Sequence, residues 1–229
     1  MIPAGDRSWS SWIRNYKFTL LLAALLVLLL APLIVGNSEQ RSLMFGASFL
    51  AVLLFAILAT VKHRKVLAFV VGLAGLAAVA QIISFVYGTR QFPQVRIALF
   101  AAFLMFIAIL IVRDVLKAQA ITWDAILGAV CAYLLVGLAW GLLYAWVALR
   151  NPEAFSAASL VAEAYAGEPM IYYSFVTLTT LGYGDITPVS HPARTLSWLE
   201  AAFGQIYLAV LVARLVSLHL TQASRGGNA

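Results

Sequence analysis

The chain has 229 residues, of which 63% are hydrophobic and 10% charged, with a formal net charge of +6. So little charge excludes a soluble domain that must solvate its own surface, and a lone cysteine, Cys131, excludes a disulfide framework or paired-thiol metal site within one chain. The basic residues sit mainly at the ends of apolar stretches rather than in one solvated patch, which argues for topology signals and against a nucleic-acid partner.

A bilayer core of about 30 Å needs about 20 apolar residues in a helix. Six stretches meet that need: Phe18 to Gly36, Leu43 to Val61, Val66 to Gly88, Val95 to Val112, Ala125 to Leu149, and Pro192 to Leu220. Arg7, Arg14 and Lys17 precede the first, but its run is long and no clear cleavage site follows, so it reads as a retained anchor. Cys131 falls inside the fifth and reads as a small core residue.

An even number of spans puts both termini on one side. Arg7, Arg14, Lys17, Lys62, Arg64, Lys65, Arg113, Lys117, Arg214 and Arg225 fall toward that side, against Arg41, Arg90, Arg96, Arg150 and Arg194 on the other. The excess predicts cytoplasmic termini in the plasma membrane. Trp9, Trp12, Tyr16 and Trp123 at span ends suit the headgroup layer.

The connection between the fifth and sixth spans is the long one. Asn151 to Glu168 reads as an external loop with a short helical piece. Pro169 to Thr180 is about twelve residues, or roughly 18 Å as a helix, too short to cross and too apolar for a loop, so it should enter the membrane and turn back. Pro169 suits a first helical turn and Glu168 the positive end of the helix dipole. In Gly182-Tyr183-Gly184-Asp185, residues that tolerate unusual backbone angles alternate with ones that do not, which lets successive carbonyls face one side. Non-helical backbone at membrane depth must be buried in protein or line a cavity, and several copies around an axis can provide that.

The run Thr177-Leu178-Thr179-Thr180-Leu181-Gly182-Tyr183-Gly184-Asp185 resembles the signature of tetrameric potassium channels, with Leu181 where valine is usual. The resemblance extends from Ala125 to Leu220 through Pro188, Arg194 and Gly204. It implies an all-α membrane protein of six transmembrane helices, with a re-entrant pore helix and selectivity filter between helices five and six. It implies a homotetramer whose permeant ligand is potassium, with no cofactor and no catalytic residue. The Thr180 hydroxyl and the carbonyls of Thr180, Leu181, Gly182 and Tyr183 would replace the ion's water, with Gly184 completing the filter.

By the same resemblance Asp185 would bond the aromatic matched by Tyr172, with Thr177 and Thr179 as further support, and Gly204 falls where such channels carry a hinge glycine. Val176 stands where some members place a glutamate. Glu200, an acid inside a span, is a candidate for gating or for a structural bond to the re-entrant helix. Gly204 reads equally as a bend or a site of close packing.

A voltage sensor needs several basic residues in one membrane helix. The fourth span carries Arg96 and Arg113 only at its ends. Residues 1–117 are therefore expected to form a four-helix domain placed like a voltage sensor but without gating charges, 118–221 the pore domain, and 222–229 a short cytoplasmic tail. Lipid, tension, pH or a separate regulatory subunit are the candidate gating stimuli. A less selective cation channel would usually alter the tyrosine or second glycine, and a transporter's pore subunit would repeat the span-loop-span unit; neither feature occurs. Nor does any His-x-x-x-His, Gly-x-Ser-x-Gly or paired aspartate suggest an intramembrane enzyme.

Overall fold

The computed structural model describes residues 6–34, 38–59, 93–117, 122–156 and 168–226, with isolated positions at 68, 71–72, 75–76 and 79. Among these the regular structure is helical, with one isolated antiparallel bridge and a non-helical stretch at 179–190. The helices are α1 (Asp6–Ile34), α2 (Ser38–Ala59), α3 (Pro93–Lys117), α4 (Trp123–Arg150), α5 (Glu168–Leu178) and α6 (His191–Gly226), with a 3₁₀ turn at Pro152–Ala154. Among the described residues three stretches are long and apolar enough to cross a membrane: Ile97–Lys117, Trp123–Arg150 and His191–Leu218. Within α1 and α2 lie shorter apolar stretches, Tyr16–Leu30 and Ala47–Leu58, and α1 is kinked at Tyr16. The expected third span, Val66 to Gly88, lies outside the described residues save for the isolated positions.

The last helix continues through Gly226.

Helix α4 is the hub, packing against α1, α3, α5 and α6. Its start is well specified: Thr122 accepts from Ala125 N at 3.1 Å, and Asp124 in the first turn complements the helix dipole. Its end is capped by Asn151, whose N–H bonds Val147 O and whose side chain accepts from Glu153 N to begin the 3₁₀ turn.

Glycines on α4 set how closely its neighbours approach. Gly128 lies under the Phe18 ring, where an added Cβ would stand 3.1 Å from a ring carbon. At Gly141 the corresponding Cβ would lie 2.7 Å from Ile171 Cα, so α5 packs there backbone to backbone, as small residues permit between membrane helices. Cys131 is buried and donates to Phe18 O at 3.4 Å, the structural role its position suggested. Lys17 reaches Asp124 at 4.0 Å and ties α1 to the head of α4.

Burial is uneven. The membrane-length stretch of α4 is 61% buried within the chain, whereas that of α6 is 11% buried. Trp198, Ile206, Val212 and Leu220 all stand exposed along α6. An apolar helix left so bare is covered by lipid or by other chains.

Candidate functional site

Helix α5 has 11 residues, about 16 Å, beginning at Glu168 with Pro169 in its first turn. It is wedged between α4 and α6. On the α4 side Ser174 Oγ lies 2.7 Å from Gly137 O, one of two acceptors that share its single proton, and Gly137 lies under the Phe175 ring. On the α6 side Tyr173 and Ser197 share a hydroxyl bond of 2.6 Å. Tyr144, Phe155 and Tyr173 pack edge to face, with centroids 5.0 to 5.8 Å apart, and close the top of the wedge.

Glu200 joins all three helices. It is fully buried on α6, and its carboxyl oxygens accept from Tyr144 Oη on α4 at 2.7 Å and Ser174 Oγ on α5 at 2.5 Å. These bonds tie α6 to the short helix and to α4.

The chain turns out of α5 at Thr179 and Thr180. Thr180 N bonds Thr177 O, while Leu181 N and Gly182 N both bond Val176 O, at 2.9 and 3.3 Å. Thr179 Oγ1 donates back to Phe175 O at 2.6 Å. These bonds satisfy the helix's last carbonyls and leave the following residues free of its axis.

Beyond the turn every second residue has positive φ: Thr180 at 58°, Gly182 at 62° and Gly184 at 81°. An ordinary strand points successive carbonyls to opposite sides. Inserting a left-handed residue at alternate positions cancels that alternation and turns the carbonyls toward one side. For the glycines this conformation carries no Cβ penalty, but Thr180 is β-branched, and positive φ there is a true outlier held by its surroundings. Among the described residues no backbone hydrogen bond ends on the carbonyls of Thr180, Leu181, Gly182 or Tyr183, and Leu181 and Tyr183 are exposed.

The far end of the loop is tied down twice. Tyr172 Oη on α5 donates to Asp185 Oδ2 at 2.7 Å. This bond holds the Asp185 carboxyl below its ordinary range and pushes the Tyr172 hydroxyl up. Further on, Phe155 pairs with Pro188, Ser156 N bonds Thr187 O, and Arg194 Nε bonds Pro188 O at 3.2 Å.

Residues 132–219 match a family model described as Ion channel. The match supports an ion channel. It spans most of α4, all of α5, the loop and nearly all of α6, which are the elements that build this site. No curated protein and no solved structure matches the chain.

Thr177 contributes its carbonyl to the turn, and Val176 is buried with its carbonyl receiving both loop amides. Gly204 is buried against the end of α5, where a Cβ would fall well inside contact distance of the Leu178 carbonyl oxygen. Sequence reasoning missed Tyr144 and Ser174, the partners of Glu200, and Gln205, which donates to Thr180 Oγ1 at 3.3 Å. The available signal was a carboxamide in an apolar span, one residue beyond Gly204.

Proposed function

We propose that this chain is one subunit of a homotetrameric potassium channel in the plasma membrane, in which Thr180-Leu181-Gly182-Tyr183-Gly184 is the selectivity filter. The observation that carries this reading is the alternation of positive φ at Thr180, Gly182 and Gly184 with backbone carbonyls that have no backbone partner. The loop is exposed in the single chain; once an assembly covers it, a carbonyl without a donor costs on the order of 1–3 kcal/mol, so a row of them at membrane depth needs another ligand. A desolvated monovalent cation is that ligand, with the carbonyls replacing its water.

Oxygen ligands must surround the ion, and one subunit offers a single strand of them. A tetramer supplies a ring at each level. The bare apolar length of α6 supports this assembly, since it leaves surface for neighbouring subunits, and α5 then enters from the outer side as a re-entrant helix. Its carboxyl end directs the negative end of the helix dipole toward the space beneath the filter, which favours a waiting cation. Ions in adjacent sites repel, so binding stays weak enough for conduction.

The full subunit has six spans with both termini cytoplasmic, in keeping with the Lys and Arg distribution. The interior of α3, residues 97–112, has no basic residue, so its response to voltage is shallow. Lipid, tension, pH or a regulatory subunit acts as the gating stimulus.

Purified protein in liposomes tests the reading. Potassium flux far above sodium flux, from a particle that crosslinks as a tetramer, is the expected result. Equal passage of the two ions, or a monomer in the membrane, overturns it.

A further inference from the structure

The hydroxyl of Thr180 has a partner on α6. Gln205 donates from Nε2 to Thr180 Oγ1 at 3.3 Å, and both residues are exposed in the single subunit. The contact therefore lies on the uncovered side of the wedge rather than in its core. Its position follows from the packing of Gly204 on the Leu178 carbonyl, which brings the next residue of α6 to the base of the loop. Its neighbours Phe203, Ile206, Leu208 and Val210 are apolar and exposed. A carboxamide among them is costly in an apolar setting unless it finds a partner or water.

We infer that Gln205 is a positioning residue for the innermost ion site, setting how the Thr180 hydroxyl presents its oxygen to the cation. The inference rests on the filter reading above. A threonine hydroxyl has one proton and two lone pairs, and it rotates freely when nothing holds it. The Gln205 N–H occupies one lone pair and fixes the rotor, which leaves the other for the ion. The carboxamide oxygen of Gln205 remains available to water below the filter.

A cation entering from the cytoplasmic side thus exchanges water for hydroxyls already oriented, and the ordering cost is not met at the moment of binding. An apolar side chain of similar length would let those hydroxyls turn to water or to each other. The carbonyl rings above, set by backbone conformation, would be untouched.

Barium, a divalent cation close to potassium in size, is the probe, titrated calorimetrically into the purified tetramer in sodium buffer. Wild-type protein is expected to bind potassium and barium; if it binds neither, the filter reading itself fails, and the two failures are separated at this first step. Gln205→Met is expected to weaken barium binding about tenfold, or about 1.4 kcal/mol. Gln205→Asn, whose amide is a methylene short of Thr180, should behave alike.

In a Thr180→Ala background Gln205→Met should have no further effect, because the group it orients is gone. Unchanged affinity in both Gln205 variants overturns the inference. So does an equal loss with and without the Thr180 hydroxyl, which a general disturbance of α6 would produce. Loss of the tetramer in both variants also overturns it, by making Gln205 an assembly contact.

Discussion

The Tyr144 hydroxyl on α4 donates to Glu200 Oε2 on α6 at 2.7 Å, and the other carboxyl oxygen receives Ser174 of α5, so one buried acid joins the three helices around the loop. Removing it leaves the Tyr144 hydroxyl facing an apolar gap, at about 1–3 kcal/mol, while Ser174 keeps Gly137 O as its acceptor. Glu200→Leu should therefore lower the melting temperature of the detergent-solubilised protein clearly. Glu200→Gln, which keeps an acceptor and adds a donor, should lower it much less. Equal melting of the two variants would show that the bonds contribute little.

Gly204 gives a prediction of opposite character, because the usual gain from replacing a helical glycine is reversed by a collision. Alanine is favoured in a helix by about 1 kcal/mol, but here its methyl would press on the Leu178 carbonyl. Overpacking of that kind costs about 1–3 kcal/mol. Gly204→Ala should be destabilised on heating and should carry less potassium flux. A stabilised, fully conducting variant would show that α5 can shift without consequence.

Tyr172 and Asp185 make the outer end of the loop sensitive to acid. The Tyr172 bond holds the folded carboxyl below its ordinary value of 3.8. Its contribution is thus complete above that value and is lost as pH falls through the lowered one. Tyr172→Phe should move the acid limit of flux upward, toward the ordinary carboxylate range. Flux measured against external pH checks this, and identical profiles would assign the acid limit to another group.

At Gly182 and Gly184 the backbone is left-handed. An L-residue there costs about 1–2 kcal/mol, and a Cβ at either meets nothing within 4 Å in the chain. Gly182→Ala should therefore fold and assemble with modest loss of stability, yet lose discrimination of potassium from sodium as the carbonyl direction is disturbed. Paired flux measurements in the two salts would reveal it, and retained discrimination would mean that the backbone conformation is not what selects.

The short apolar helix, its start at Glu168 and Pro169, and the loop after it were legible in the sequence, because length against membrane thickness and glycine spacing are local properties. Positive φ at Thr180 was not legible. A β-branched residue does not choose that conformation, and only its place between the capped end of α5 and the glycine at 182 imposes it. Glu200 could be singled out as an acid within a span, but its partners sit 56 and 26 residues away in the chain, and no spacing rule links them.

By itself the sequence determined that the chain belongs in a membrane and which glycines can adopt a left-handed backbone, since each follows from hydropathy and the presence or absence of Cβ. Only the tertiary structure decided that Gly204 serves contact with Leu178, that Glu200 binds two helices, and that Gln205 reaches Thr180. These depend on how closely helices approach in three dimensions, which is set by packing between residues remote in sequence.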